Sequence, residues 1–152
     1  MTLVLSWLRI LFGLVFIAVV LAVFLPALIV ALPSRRHRIC LGNYAGHVIG
    51  RTVLWLAGAT PSDDRIHHYP AIYISNHTSI LDIFLGIWLS PVGTCGVAKK
   101  EVVYYPFFGQ LYWLCGHLRL DRGNHQRAIA ALEDRKSTRL NSSHLVISYA
   151  VF

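Results

Sequence analysis

The sequence predicts an α/β fold: an N-terminal membrane helix or two-helix anchor followed by a layered α/β domain. An uncharged apolar run near the N-terminus, a polar break at residues 60–70, and short apolar strands alternating with helices after that break support it. Hydrophobic residues make up 55% of the 152, and the mean hydropathy is +0.54. Only 14% are charged, against roughly 25% in soluble domains, so the composition indicates a membrane protein with one domain at most.

The first apolar run, Ile10–Leu32, contains no charged residue and is long enough to cross a hydrocarbon core, which takes about 20 residues. It is also longer than the apolar core of a signal peptide. Arg35, Arg36 and Arg38 follow at once, and clustered positive charge favours the cytoplasmic side of a membrane helix. We therefore expect residues 1–59 to be a membrane anchor, with the following domain on the cytoplasmic face.

A second apolar stretch, Ile39–Ala59, carries polar residues at every fourth position: Asn43, His47 and Arg51. On a helix these three side chains form one stripe. The pattern predicts an interfacial helix, or a helix packed on the first one, with its polar stripe toward lipid headgroups.

The remaining chain divides into a linker at residues 60–70, a domain at 71–133 and a tail at 134–152. Short apolar runs predict strands, and longer runs between turn signals predict helices. The predicted strands are residues 71–75, 93–98 and 118–120; the predicted helices are residues 80–89, the part of 99–115 after the proline, and 126–133. Residues 76–79 are predicted to form a turn.

The tail, residues 134–152, interrupts the last predicted helix with a polar run. It resembles the in-frame translation of a short-read sequencing adapter over DRKSTRLNSSH and ISYAVF, with Leu145 and Val146 where a variable index would lie. Foreign segments are left out of fold reasoning. We therefore predict that the tail is an artefact; the alternative is a genuine turn followed by a strand.

Charge and cysteine content exclude several kinds of protein. The net charge is +7, but the charges are dispersed and the first third is apolar, which argues against a nucleic-acid-binding protein. Cys40, Cys95 and Cys115 show no paired spacing, so neither a disulfide framework nor a metal site is expected.

The residues that carry chemistry lie just after the first predicted strand. His77 is a natural general base, and Asp82 could orient it by accepting its second N–H. Five positions along one helix would place the two side chains about 140° apart, so they meet only if His77 precedes the helix and Asp82 lies in its first turn. The alternative is a capping box, with Ser79 as the N-cap and Asp82 at the third helical position.

Several segments together resemble the glycerol-phosphate and lysophosphatidic acid acyltransferase family. N-H-T-S-I-L-D at Asn76–Asp82 is similar to the family's N-H-x-x-x-x-D signature. A-K-K-E at Ala98–Glu101 and P-F-F-G at Pro106–Gly109 look like a second family segment. G-H-L-R-L-D-R at Gly116–Arg122 is similar to the G-x-x-x-I-D-R block, and the resemblance covers Leu3–Glu133.

The resemblance implies acyl transfer from coenzyme A or acyl carrier protein to the hydroxyl of a lysophospholipid acceptor in the membrane. His77 would take the hydroxyl proton and Asp82 would orient His77, with no cofactor and no metal. Positive charge stabilises the acceptor phosphate and the developing oxyanion, and a planar guanidinium can bind phosphate through two hydrogen bonds. The residues expected to bind substrate are Asn76, Lys99, Lys100 and Arg122; solvated lysines and an Arg122–Asp121 ion pair are the alternatives.

The chain departs from the family pattern after Glu133, because the F-P-E-G-T-R block is absent. In the family that block helps to hold the acceptor phosphate. The sheet would also lack later strands and expose an apolar edge. We therefore predict a truncated acyltransferase domain that is inactive and poorly folded beyond its anchor. The alternative is a small non-enzymatic, membrane-anchored protein that binds lipids or a partner.

Overall fold

The structure is a computed structural model. It describes residues 2–59, 71–77, 79–104, 108–121, 123 and 144–150. Within these ranges, only the backbone is described for residues 2, 71–72, 75–77 and 144–150. The predicted linker at 60–70 and the predicted helix at 126–133 lie outside the described residues.

Two long helices open the chain. Helix α1 spans Thr2–Val30, and helix α2 spans Arg35–Leu56. The helix begins before the uncharged run at Ile10, because Arg9 near its start does not interrupt it. By length and composition α1 could cross a membrane, and its large apolar side chains are mostly exposed.

Helix α2 runs antiparallel to α1. Gly13 of α1 lies against Leu56 at the far end of α2, so the first eleven residues of α1 extend beyond that end. We predicted a helix from 39 to 59, and both bounds were wrong. Ser34 precedes the helix in extended conformation, and Gly58 ends it with a φ of +76°, which glycine adopts without strain.

The rest of the described chain alternates strands and helices, as predicted. The elements are β1 Ala71–His77, α3 Leu81–Leu89, β2 Cys95–Lys99, a 3₁₀ turn Lys100–Tyr104, α4 Phe108–Leu114, β3 Leu118–Leu120 and β4 His144–Ala150. The predicted bounds of β3 are confirmed. The predicted turn at 76 begins too early, because β1 continues its parallel pairing through His77, opposite Ala150.

All four strands are parallel and lie in the order β1-β4-β2-β3. We expected the sheet to be built without the tail, yet β4 belongs to it and separates β1 from β2. This was wrong for residues 144–150, whose apolar, β-branched sequence suits a strand with neighbours on both sides. Their place in the sheet does not test the origin of the tail, and the adapter resemblance stays a prediction.

Glycines let α2 lie unusually close to α3, which runs antiparallel to it. Gly46 and Gly50 of α2 face α3, and Gly42, one turn earlier, lies against Cys115. A Cβ at Gly50 would lie 2.6 Å from the carbonyl oxygen of Phe84, and one at Gly46 would overlap Ile87. Small residues at this spacing allow two helices to approach backbone to backbone.

The core joins α2 to the sheet. Ile39 of α2 packs with Cys95 and Val97 of β2 and Leu118 of β3, and Leu120 covers the group. Ile39 is 1% exposed, so its burial contributes about 1.5–3 kcal/mol. The inner face of α2 therefore belongs to the α/β part of the molecule.

Candidate functional site at the carboxyl edge of the sheet

The predicted site residues that the structure describes lie at one edge of the sheet. In a parallel sheet all carboxyl ends lie at the same edge, which is where ligands of open α/β sheets bind. His77 ends β1, Lys99 ends β2, and Asp121 follows β3. Since β4 lies between β1 and β2, His77 and Lys99 stand two strand spacings apart, about 10 Å.

Asp82 lies in the first turn of α3 and takes part in a cap. The Ser79 backbone N–H donates to Asp82 Oδ2 at 2.8 Å, and the Leu81 N–H donates to Ser79 Oγ at 3.2 Å. These reciprocal bonds correspond to the capping box that the sequence offered as the alternative. A carboxylate has two oxygens, each with two lone pairs, so this bond is compatible with a second role for Asp82.

His77 and Asn76 are the last two residues of β1, and only their backbone is described. Three residues separate His77 from the first residue of α3. The backbone thus has the strand–turn–helix arrangement that a His77–Asp82 pair requires. The contact between their side chains stays a prediction.

The two lysines differ in their surroundings. Lys99 is exposed, whereas Lys100 Nζ lies 3.0 Å from Asp121 Oδ2 in a surface ion pair. The hydrogen bond to Asp121, and then its charge, raise the pKa of Lys100 above its usual 10.5. Lys100 is therefore a permanent cation at this edge, partly balanced by its carboxylate partner.

Asp121 was considered in the sequence only as an alternative partner of Arg122. In the structure its second oxygen, Oδ1, accepts the Gly123 N–H at 3.0 Å while Oδ2 binds Lys100. Asp121 therefore ties Lys100, directly after β2, to Gly123, shortly after β3. The Asp-Arg-Gly sequence was the available signal, since an aspartate two residues before glycine commonly closes such a turn. Arg122 itself lies outside the described residues.

The polar stripe of α2 does not face lipid headgroups at Asn43 and His47, and that prediction was wrong. Asn43, 5% exposed, accepts the Gly93 N–H on Oδ1 at 2.7 Å and donates from Nδ2 to the Thr94 carbonyl at 3.2 Å. His47 Nε2 donates to the Ser90 carbonyl at 2.7 Å. The spacing of the polar residues showed that they share one face of α2. It could not show which part of the molecule that face contacts.

Two of the three arginines at the start of α2 are also turned inward. Arg35 Nε donates to the Gly116 carbonyl at 2.8 Å, and Arg38 Nη1 donates to the Leu114 carbonyl at 3.0 Å. These bonds hold the turn between α4 and β3. Because they have a role inside the fold, these two side chains carry less weight as markers of membrane orientation.

His117 is a histidine of the α/β part whose side chain the structure describes, and it is poorly suited to be a base. Its Nδ1 accepts the Gly96 N–H at 3.1 Å, and its ring centroid lies 4.8 Å from that of Tyr112. Burial, and then the charge of Arg35, lower the pKa of His117 from 6.5 to about 4. The ring is therefore neutral near pH 7 and acts as a hydrogen-bond acceptor within the fold.

The three cysteines are free thiols, of which Cys95 and Cys115 are buried. Burial raises the pKa of the Cys115 thiol to about 11, against an opposing effect of Arg38. A buried, protonated thiol is a poor nucleophile. Within the described ranges no three histidine, cysteine or acidic side chains group together as metal ligands.

Comparison with known proteins identifies the family of the chain. The family model "Acyltransferase" matches residues 60–150. Proteins named 1-acyl-sn-glycerol-3-phosphate acyltransferase are similar to the chain: 48% identical over 109 residues in Limnanthes alba and 45% over 109 in Cocos nucifera. The relative in Escherichia coli K12 is 38% identical over 87 residues.

These matches cover more of this chain than of the relatives. The Limnanthes alba and Cocos nucifera matches take in 70% of the chain but 39% and 35% of those proteins, and the Escherichia coli match takes in 55% and 35%. No solved structure matches the chain significantly. The family model nevertheless spans more than half of the sequence, and the chain belongs to the acyltransferase family.

Proposed function

We propose that the complete protein transfers a fatty acyl group from acyl coenzyme A or acyl carrier protein to the free hydroxyl of a lysophosphatidic acid-like acceptor. The relatives' names support the reaction. The observation that carries the residue assignment is the backbone at the carboxyl edge, where His77 ends β1 and Asp82 lies in the first turn of α3. The backbone separation of three residues between His77 and α3 supports pairing of the His77 imidazole with the Asp82 carboxylate.

In the proposed reaction, His77 removes the proton from the acceptor hydroxyl as its oxygen attacks the thioester carbonyl. The tetrahedral intermediate then collapses, the carbon–sulfur bond breaks, and the thiolate leaves and takes the proton back from the imidazolium. Asp82 orients the ring and stabilises its charged form, as the aspartate does in hydrolase triads. No covalent acyl-enzyme is needed, so buried Cys95 and Cys115 have no part in it.

Substrate binding falls to the cations and the amide around the pair. Lys99 and Lys100 provide positive charge for the acceptor phosphate or the developing oxyanion, where fixed charge has its largest effect. Arg122 offers a planar fork for phosphate, and Asn76 offers an amide beside His77. The exposure of both lysines supports this assignment, because a ligand can reach them.

A membrane location suits a lipid acceptor. The first turns of α1 project beyond α2 with exposed apolar side chains, including Leu3 at 72%, Trp7 at 64% and Leu11 at 59%. Lipid chains would cover such a surface at a gain of about 25 cal/mol per Å². We propose that α1, assisted by α2, anchors the protein with the carboxyl edge on the cytoplasmic side.

The chain of 152 residues itself is expected to be inactive. It spans less than half of the relatives it matches, and the phosphate-binding block expected after Glu133 is absent from it. The measurement is growth of a strain that lacks its own lysophosphatidate acyltransferase and expresses residues 1–152. No growth is expected, and restored growth would contradict the proposed inactivity.

The catalytic assignment is tested in a complete version, in which residues 1–133 precede the C-terminal part of the Limnanthes alba relative. His77→Ala should abolish acyl transfer from radiolabelled acyl coenzyme A while membrane binding persists. His37→Ala is the matched control, because His37 is exposed at the start of α2 and its ring Nδ1 contacts only Ser34 Oγ among the described groups. Equal activity of the two variants would contradict the role of His77 as the base, whereas a complete version with no acyl transfer at all would favour a non-enzymatic lipid-binding protein.

A further inference from the structure

Two loops precede β2 and β3 at the amino edge of the sheet, and α2 contacts both. Residues 90–94 lead into β2, and residues 115–117 lead into β3. Loops usually owe their conformation to their own turns. These two are also bonded, from 43 to 81 residues away in sequence, by side chains of one helix.

The first loop is held by a buried amide. Asn43 uses both its oxygen and its nitrogen, on the Gly93 N–H and the Thr94 carbonyl, and His47 adds the bond to Ser90. Ser90 and Thr94 are 5% and 2% exposed. Leaving such a buried backbone group without its partner is strongly destabilising, so these bonds fix the loop.

The second loop is held by two guanidinium groups, each donating to a carbonyl oxygen. Arg35 binds Gly116, and Arg38 binds Leu114 at the end of α4. Charge-assisted bonds of this kind are stronger than neutral ones. Beside them, Cys115 is covered by α2: a Cβ at Gly42 would lie 2.7 Å from its sulfur.

We propose that α2 is a positioning helix for the α/β part rather than a second anchor helix alone. Its inward polar side chains, Asn43, His47, Arg35 and Arg38, fix the loops before β2 and β3. They thereby determine the positions of β2 and β3 along the strand direction. These positions in turn determine where Lys99, Lys100 and Asp121 lie at the carboxyl edge. The consequence for the lysines rests on the proposed function; the docking of the loops does not.

Thiol labelling tests the docking in the whole chain, purified in detergent. Cys115 reports on undocking because α2 covers it, and the partly exposed Cys40, on α2 itself, serves as the internal reference. Asn43→Leu should raise the maleimide labelling rate of Cys115 relative to Cys40 about tenfold or more. Arg51→Leu is the matched control from the same stripe, since Arg51 is exposed, and should leave the ratio unchanged.

A conservative pair keeps the test decisive if Asn43→Leu loses its helical circular dichroism signal. His47→Leu should also raise the ratio, whereas His47→Gln should restore it, because the glutamine amide can donate to the Ser90 carbonyl from nearly the same place. Equal ratios in the leucine and glutamine variants, or an Arg51→Leu ratio as high as that of Asn43→Leu, would overturn the docking.

A second measurement separates positioning from the proposed function. In the complete version, His47→Leu should lower kcat/KM for acyl transfer, with recovery in His47→Gln. Full activity in His47→Leu would overturn the positioning role. The labelling ratio needs no catalysis, so a failed acyltransferase assignment would leave the docking result standing.

Discussion

The amino and carboxyl edges of the sheet differ in the burial of their polar groups. At the amino edge, Asn43, Ser90 and Thr94 are almost fully buried, and each has a hydrogen-bond partner. At the carboxyl edge, Lys99 and Lys100 are exposed, with Lys100 53% accessible. The buried, hydrogen-bonded polar groups at the amino edge stabilise the fold, whereas the exposed charges at the carboxyl edge remain accessible to a ligand. The contrast is consistent with the proposed site at the carboxyl edge and with a structural role for the amino edge.

The largest effect is expected from Asp82, because it would separate catalysis from capping at the carboxyl edge. Asp82→Asn keeps an oxygen for the Ser79 N–H but loses the charge that would stabilise the imidazolium. We expect acyl transfer by the complete version to fall about 10³-fold or more, by analogy with the hydrolase triad, with little change in stability.

Ser79→Ala is its matched control. It removes the hydroxyl that accepts the Leu81 N–H and should cost about 1 kcal/mol of stability, while the rate changes only a few-fold. Rate assays with denaturant titrations of both variants decide the matter. If Asp82→Asn behaved like Ser79→Ala, the carboxylate would be a cap alone.

A smaller effect is expected at the amino edge on acidification. The pKa of His117 is about 4 in the folded protein and 6.5 when unperturbed, so the unfolded chain binds the proton more tightly. Stability is therefore complete above about pH 6.5 and falls as the pH drops toward 4. The full shift corresponds to about 3 kcal/mol; the ring keeps some solvent contact, so we expect about 1–3 kcal/mol.

This is measured as the free energy of unfolding in detergent between pH 7 and pH 4. His117→Asn is the control, because its amide oxygen can accept the Gly96 N–H without titrating in this range. The variant should lose this part of the pH dependence. An equally steep decline in His117→Asn would assign the acid sensitivity to other groups.

The smallest effect is expected from the Lys100–Asp121 ion pair. Exposed pairs contribute little to stability, so Lys100→Gln should leave the thermal unfolding midpoint unchanged within error. In the complete version the same change should raise KM for the acceptor, and more so at low salt, if the cation binds phosphate. A lowered unfolding midpoint with an unchanged KM would instead show that Lys100 stabilises the fold and does not bind the acceptor.

Local patterns predicted much of the chain. The uncharged run gave a long apolar helix, and β3 was placed at residues 118–120, where the structure has it. These features depend on residue type and periodicity within a few turns. The bounds of α2 were missed because the sequence pattern marks where apolar residues recur, whereas a helix ends where its backbone finds other hydrogen bonds, as at Gly58.

Long-range pairings were missed for a different reason. Asn43 and His47 were correctly placed on one face, yet their partners at residues 90–94 lie more than forty positions away. The place of residues 144–150 between β1 and β2 was missed too, because the segment was set aside by its resemblance. The local spacing of apolar and polar residues specifies neither the distant partner of a side chain nor the order of strands in a sheet.

The sequence by itself determined an apolar N-terminal helix, the alternation of strands and helices, and the acyltransferase-like motifs, since each depends on neighbouring residues and their chemistry. Only the tertiary structure decided that α2 turns Arg35, Arg38, Asn43 and His47 inward, and that Asp121 pairs with Lys100. The physical reason is that a buried polar group must find a partner wherever the packed chain offers one, and packing brings together segments that the sequence keeps far apart.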